Sequence, residues 1–169
     1  EPAVTEDALV DLSKLAVEQP VSLVAVEIGN DSVADIGKAT EGLASAEPKS
    51  ATSFFGKKAI ARNIVFVVDN SNSMGGGKLE TALVEMNKAI SQLKPTQKFY
   101  VIFYSDTAYP LFHPQPARKV IPATAANKRR TAYWLESVQM CLQTRGSLAI
   151  EMARQLGPDL IYLLGDGAF

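Results

Sequence analysis

The sequence predicts an α/β fold: a Rossmann-like, doubly wound and mostly parallel sheet with one antiparallel edge strand. Three segments support this prediction, residues 64–68, 98–106 and 160–164, because each contains a short run of β-branched, aliphatic and aromatic residues that is apolar on both faces. Such runs are typical of strands buried on both sides of a parallel sheet. Segments with helical periodicity separate them, which indicates right-handed strand–helix–strand crossovers.

The helices and the edge strand follow from local signals. A helix over residues 78–93 has one apolar stripe, formed by Leu79, Leu83, Met86, Ile90 and Leu93. Residues 122–138 hold a second helix, for which Thr124 is a candidate cap, and a third helix over about residues 147–156 ends at Gly157-Pro158. Residues 107–112 follow the second strand after almost no turn, so we predict that they pair with it as an antiparallel edge.

The first part of the chain differs in composition from the rest. Residues 1–47 contain ten acidic and two basic residues, a net charge of −8, whereas residues 48–169 carry a net charge of +7. We therefore predict an acidic arm or linker over residues 1–50, with a helix from about Thr5 to Glu18 and a strand over residues 21–28, and a folded domain over residues 51–169. The arm is either a solvated linker or a segment that folds onto its own domain or onto a partner.

Composition also argues against several classes of function. No run approaches the roughly 18 apolar residues of a membrane span, so none is predicted in this chain. Cys141 is the only cysteine, which excludes a disulfide within the chain and leaves the redox compartment open. Lys128, Arg129 and Arg130 lie together on the second helix, but three bases are typical of its solvent-exposed side, so no nucleic-acid partner is predicted. His113, the single histidine, is predicted to lie in a surface loop.

Candidate metal ligands follow two of the buried strands. Asp69, Ser71 and Ser73 come directly after the strand over residues 64–68, and Asp166 comes after the strand over residues 160–164. In doubly wound sheets these two strands are neighbours at the point where the strand order reverses, so the two acids are expected to meet in one crevice. A carboxylate with two hydroxyls offers hard oxygen ligands, which suit Mg²⁺, with Ca²⁺ or Mn²⁺ as less selective alternatives.

The residues Asp69-Asn70-Ser71-Asn72-Ser73 resemble the D-x-S-x-S signature of the von Willebrand factor type A domain, and the resemblance extends over about residues 59–167. It implies a metal ion-dependent adhesion site whose ligands are Asp69, Ser71, Ser73, Thr144 and Asp166. It also implies that a partner protein offers a carboxylate to the ion. The chain departs from the family at Cys141-Leu142-Gln143, where bacterial members are often glycine-rich, and at Arg145 and Gly165.

The resemblance has consequences for the sheet edge and the setting. The family continues with two more strands and helices, so the fold is expected to be incomplete at its C-terminal end. The strand over residues 160–164 would then need cover, from a partner chain or from the acidic arm. The overall look of the chain, including the lead-in Ser53-Phe54-Phe55-Gly56, is most similar to bacterial members. The sequence leaves the localisation unknown, and the resemblance favours a bacterial cell envelope or an extracellular setting.

Three functions are compatible with this sequence. The first is a non-enzymatic, metal-dependent module for protein binding or adhesion, which the resemblance favours. The second is a structural assembly component that uses an exposed sheet edge. The third is a Mg²⁺-dependent phosphoryl-transfer enzyme with Asp69 as nucleophile. Gly75-Gly76-Gly77-Lys78 is not a phosphate-binding loop, because Leu79 stands where that motif requires Ser or Thr.

Overall fold

The computed structural model describes residues 22–27, 51–54, 57–141 and 146–165. The helix predicted from Thr5 to Glu18 and most of the predicted linker lie outside these residues. The strands are β1 (Ser22–Glu27), β2 (Ala51–Phe54), β3 (Lys57–Ile60), β4 (Asn63–Asp69), β5 (Lys98–Tyr104), β6 (Ala108–Pro110), β7 (Ile121–Pro122) and β8 (Leu160–Gly165). The helices are α1 (Lys78–Gln92), α2 (Ala125–Glu136) and α3 (Gly146–Gln155), and a short 3-10 turn covers Asn72–Met74.

The main sheet has the strand order β1-β8-β4-β5-β6, with β7 also paired to β5. Strands β8, β4 and β5 are parallel to one another, and the others are antiparallel to their neighbours. The α/β fold class is thus confirmed. The sheet nevertheless has three antiparallel strands where the sequence predicted one, because β7 is only two residues long and the pairing of β1 is not visible in its local pattern.

Strand β4 is the centre of the core. It pairs with β5 on one side and β8 on the other, and every residue from Ile64 to Asp69 is buried. The aromatic rings of Phe66 and Tyr162 stack across the β4–β8 pair with their centroids 5.6 Å apart. Because both faces are covered, the strand has no polar side, which accounts for its continuous apolar sequence.

The observed helices begin and end within a few residues of their predicted positions. Leu79, Met86 and Ile90 of α1 are buried in the core, as the apolar stripe requires. Thr124 caps α2, since its hydroxyl accepts a hydrogen bond from the backbone N–H of Asn127 at 3.3 Å. The Lys128 ammonium donates to two carbonyl oxygens at the end of α1, those of Ser91 and Leu93.

Strand β1 lies in the segment assigned to the acidic arm and covers β8. Its six residues pair antiparallel with Leu160–Gly165, from Ser22 opposite Gly165 to Glu27 opposite Leu160. Leu23 and Ala25 pack against the core, whereas Val24 and Val26 are 43% and 45% exposed on the other face. The sequence left open whether a partner chain or the acidic arm covers β8. In the structure, β1 of the chain's own arm covers it.

The lead-in to the domain is a hairpin. Strands β2 and β3 pair antiparallel, from Ala51 opposite Ile60 to Phe54 opposite Lys57, and the hairpin lies against α1. None of the helices in the described part of the chain is both long enough and apolar enough to cross a bilayer.

Candidate functional site

The carboxyl end of β4 presents Asp69 at the start of a tight loop. The carboxylate is fully buried, and its Oδ1 accepts a hydrogen bond of 2.7 Å from the backbone N–H of Ser71, two residues later. Aspartate commonly forms this local turn because its short side chain reaches the backbone two residues on. The 3-10 turn follows, and its buried Met74 anchors the loop to the core.

The two predicted serine ligands lie side by side in this loop. Their hydroxyl oxygens are 2.8 Å apart, with Ser71 buried and Ser73 exposed. The loop therefore runs from a buried carboxylate to a hydroxyl that faces solvent. The structure brings Asp69, Ser71 and Ser73 together at one strand end, as the sequence predicted. Thr144 and Asp166 lie outside the described residues, so their part in the site stays a prediction.

The spacing of the two hydroxyls can be compared with the size of a metal ion. Mg²⁺ takes octahedral ligands at roughly 2.0–2.1 Å, so two adjacent ligand oxygens lie about 2.9 Å apart. In the pentagonal-bipyramidal geometry that Ca²⁺ often takes, at roughly 2.3–2.6 Å, adjacent equatorial oxygens lie about 2.7–3.1 Å apart. The 2.8 Å between Ser71 Oγ and Ser73 Oγ is a hydrogen bond between the two hydroxyls; it places two oxygens close enough to be adjacent ligands of one ion, but the spacing does not select which ion. In the described ranges, this loop included, no group of three or more His, Cys, Asp or Glu side chains could hold a metal.

A second loop is attached directly to the first through Asn70. The Asn70 carbonyl accepts from the backbone N–H of Cys141 at 2.8 Å, and its side-chain Nδ2 donates to the Gln139 carbonyl at 2.9 Å. Ser71 and Cys141 also form an isolated parallel β-bridge. Residues 139–141 are therefore held next to the serine loop, and Thr144 follows three positions later in the sequence.

Strand β8 approaches the same end of the sheet. Leu164 lies opposite Val68 in the parallel β4–β8 pair, so the carboxyl ends of the two strands are neighbours. This is the reversal of strand order that the sequence analysis predicted, since β5 and β8 lie on opposite sides of β4. Gly165 is the last described residue of β8, and Asp166 is the next residue of the chain.

Comparison with known proteins agrees with this geometry. The family model of the von Willebrand factor type A domain matches residues 64–168. The chain belongs to the von Willebrand factor type A family. Domains of this family mediate protein–protein interaction and are generally non-enzymatic, and this domain is consistent with an interaction or adhesion module.

Individual relatives resemble parts of this von Willebrand factor type A chain. It is 30% identical over 101 residues to human inter-alpha-trypsin inhibitor heavy chain H4, and the matched region covers 60% of this chain and 10% of that protein. It is 40% identical over 52 residues to human inter-alpha-trypsin inhibitor heavy chain H6, and the matched region covers 31% of this chain and 4% of that protein. The chain thus spans a small fraction of the length of these relatives.

A solved structure shows the same fold. The von Willebrand factor type A protein from Catenulispora acidiphila superposes with a TM-score of 0.51 at 15% identity, covering 80% of this chain and 29% of that one. At this level of identity the likeness concerns the fold alone.

A cavity of about 200 Å³ lies beside the serine loop of this von Willebrand factor type A domain. Its apolar lining comes from Phe103, Trp134 and Val138, and its polar lining comes from Asn70, Tyr109, His113, Ser137, Gln139 and Cys141. This cavity could not be predicted from the sequence, because its lining comes from four separate segments with no shared motif. His113 is exposed, as predicted, and its ring also meets that of Tyr109 edge-on at 5.4 Å.

Tyr109, which lines this cavity, is paired with Asp106. The Tyr109 hydroxyl donates to Asp106 Oδ1 at 2.6 Å, and the Ser105 hydroxyl donates to the same oxygen at 3.1 Å. The hydrogen bond to Asp106 raises the pKa of Tyr109 to about 12, with smaller contributions from burial and from Cys141. The same hydrogen bonds lower the pKa of Asp106, because they favour its carboxylate form.

Proposed function

We propose that this chain is a protein-binding or adhesion module that holds one Mg²⁺ ion in a metal ion-dependent adhesion site. Asp69, Ser71 and Ser73 would be ligands from the first loop, with Thr144 and Asp166 completing the set. The observation that carries the proposal is the buried carboxylate of Asp69 with two adjacent serine hydroxyls in one loop at the reversal of strand order. These are hard oxygen ligands of the kind that Mg²⁺ prefers.

The exposure of the site supports a role in binding rather than in structure alone. Asp69 and Ser71 are buried, whereas Ser73 faces solvent at the outer end of the loop. A cation held there would be reachable from outside, where a partner protein can supply a further oxygen. A carboxylate suits this role, because it is a hard, negatively charged ligand and would offset the charge of the ion.

Metal affinity of the purified chain tests the proposal. Isothermal titration with Mg²⁺, and with Ca²⁺ and Mn²⁺ for comparison, should show one site that prefers Mg²⁺ or Mn²⁺ over Ca²⁺. Asp69→Asn and Ser71→Ala should each weaken Mg²⁺ binding by tenfold or more in order of magnitude, because each removes a proposed ligand. Glu136→Gln and Ser91→Ala change exposed residues on α2 and α1 and should leave affinity within about twofold. Unchanged Mg²⁺ affinity in Asp69→Asn would contradict the proposal.

The open position on the ion has its own test. Mn²⁺ loaded into the chain should enhance the relaxation of solvent water protons, because water occupies the position intended for the partner. Acetate should lower this enhancement by displacing that water, and acetamide, a neutral analogue, should not. An enhancement insensitive to acetate would show that no carboxylate reaches the ion.

A further inference from the structure

We propose that Asn70 is a positioning residue of the metal site, whose side-chain amide holds residues 139–141 against the serine loop and so keeps Thr144 within reach of the ion. The inference rests on the proposed function and deepens it, because Asn70 is not one of the proposed ligands. Three features support it: the contacts of the Asn70 side chain, the anchoring of Asn70 itself, and two fixed points on either side of Thr144 in the sequence.

The Asn70 side chain makes the contact between the two loops that depends on residue type. Its Nδ2 donates a hydrogen bond of 2.9 Å to the Gln139 carbonyl and lies 3.9 Å from the Cys141 sulfur. The Cys141 N–H bond to the Asn70 carbonyl and the Ser71–Cys141 bridge use the backbone alone. Any residue at position 70 could make these backbone contacts, whereas the bond to Gln139 requires a short side-chain donor.

Asn70 is itself fixed to the end of the sheet. Its backbone N–H donates to the Tyr104 carbonyl at 3.0 Å, and the residue is only 4% exposed. Tyr104 is the last residue of β5 and lies opposite Asp69 in the β4–β5 pair. Because its backbone is already ordered, the Asn70 side chain loses little further conformational freedom when it binds Gln139. Through Asn70, residues 139–141 are therefore held in place relative to the carboxyl ends of β4 and β5.

Thr144 lies in the sequence between two anchored residues. Cys141, three positions before it, is bridged to Ser71, and Gly146, two positions after it, begins α3. Gly146 packs on the Tyr104 ring, where an added β-carbon would lie 3.2 Å from Cε2. A chain advances at most roughly 3.3–3.6 Å per residue, so the Thr144 α-carbon stays within about 11 Å of that of Cys141 and about 7 Å of that of Gly146. Release of the Cys141 anchor would leave Thr144 held from one side only.

Amide hydrogen exchange in the full chain kept in EDTA tests the attachment of the loops without the metal. One hydrogen bond changes an equilibrium constant by roughly two- to tenfold, so in Asn70→Ala the Cys141 N–H should exchange roughly five- to tenfold faster when followed by NMR. The Ser71 N–H, which donates to Asp69 Oδ1, should exchange within about twofold of the parent rate, because the serine loop keeps its own turn.

Matched variants locate this effect. Asn70→Leu keeps the buried volume but removes the donor, and it serves as the test if the alanine variant fails to fold. Asn87→Ala makes the same change at an exposed position of α1 and should alter neither exchange rate. An unchanged rate at Cys141 would overturn the proposal. Equal acceleration at Ser71 and Cys141 would overturn it too, because the substitution would then disturb the whole site.

A double-mutant cycle in Mg²⁺ titrations tests whether the attachment serves Thr144. Thr144→Val removes the hydroxyl and should weaken Mg²⁺ binding about tenfold in the parent but less than about threefold in Asn70→Ala. Asn70→Ala alone should then lower the affinity by about three- to tenfold. Ser73→Ala should cost the same factor in both backgrounds, to within about twofold. A purely structural role for Asn70 would change the effects of both ligands alike.

The outcomes separate this inference from the proposed function. Equal effects of Thr144→Val in the two backgrounds, or no effect in the parent, would overturn the positioning role of Asn70 even where Asp69→Asn shows that the ion is bound. A parent chain that binds no Mg²⁺ would refute the proposed function and, with it, the role of Asn70 at the ion. The exchange rates in EDTA would still show whether Asn70 attaches the two loops.

Discussion

Asp159 joins the starts of the two strands whose far ends form the site, and its removal should cost measurable stability. Its Oδ2 accepts two hydrogen bonds, one of 2.8 Å from the backbone N–H of Arg62 and one of 2.9 Å from that of Asn63. Arg62 precedes β4, and Asn63 is the first residue of β4. Its own N–H donates to the Asn63 carbonyl at 2.9 Å. A hydrogen bond to a charged acceptor contributes roughly 1.5–3 kcal/mol, and less where it is exposed to water. The Arg62 bond is exposed and the Asn63 bond is partly buried.

The expected loss for Asp159→Ala is therefore about 2–3 kcal/mol, of which the partly buried bond supplies the larger share. For a chain of 169 residues this corresponds to a fall in Tm of about 5–10 °C. Asp159→Asn keeps an oxygen that can accept both bonds but removes the charge, so it should lose about half as much. Glu136→Ala removes an exposed carboxylate from α2 and should change stability by no more than about 0.5 kcal/mol.

Urea denaturation followed by far-ultraviolet circular dichroism, with EDTA present to exclude metal binding, measures these differences. The ranking expected is Ala as the most destabilising change at position 159, Asn in between, and the Glu136 variant near the parent. A loss below about 1 kcal/mol for Asp159→Ala, or one equal to that of Glu136→Ala, would refute the reasoning, because the carboxylate would then not hold the two amides.

Two other regions give predictions of their own. Tyr109 should remain protonated to about pH 12 in an absorbance titration, and Asp106→Asn should move its titration to lower pH by replacing the charged acceptor with a neutral one. Because folding raises the pKa of Tyr109, the contribution of its hydrogen bond to the free energy of unfolding should be complete below about pH 10 and lost as the pH rises towards 12. A Tyr109 titration that is unchanged in Asp106→Asn would contradict this assignment. On β1, Leu23→Asp should weaken the cover of β8 and promote association, whereas Val24→Asp on the exposed face should not; light scattering after size exclusion separates these outcomes.

The buried strands and amphipathic helices could be predicted because their signals are local. The run from Ile64 to Val68 is apolar on both faces, and the structure buries it on both. The predicted helix over residues 78–93 corresponds to α1, which ends one residue earlier, because its apolar stripe and Pro95 are both visible in the sequence. The adjacency of β4 and β8 followed from the general topology of doubly wound sheets rather than from any one residue.

The parts that could not be predicted depend on contacts between distant segments. The strand pattern over residues 21–28 indicated β1 but not its partner, which lies more than a hundred residues away in sequence. The three adjacent bases of α2 were grouped as a solvated surface. In the structure Lys128 instead binds the end of α1, and the Arg130 guanidinium lies 3.9 Å above the ring of Phe112. The cavity beside Asn70 was missed for the same reason.

The pairing of β1 with β8 affects how this domain can be isolated. The family match begins at residue 64, so a fragment cut to that range would lack Ser22–Glu27. The backbone amides and carbonyls of β8 that pair with β1 would then be unpaired and exposed, along a strand of almost wholly hydrophobic residues. Insolubility of such a fragment would then reflect a missing neighbour rather than a poor core.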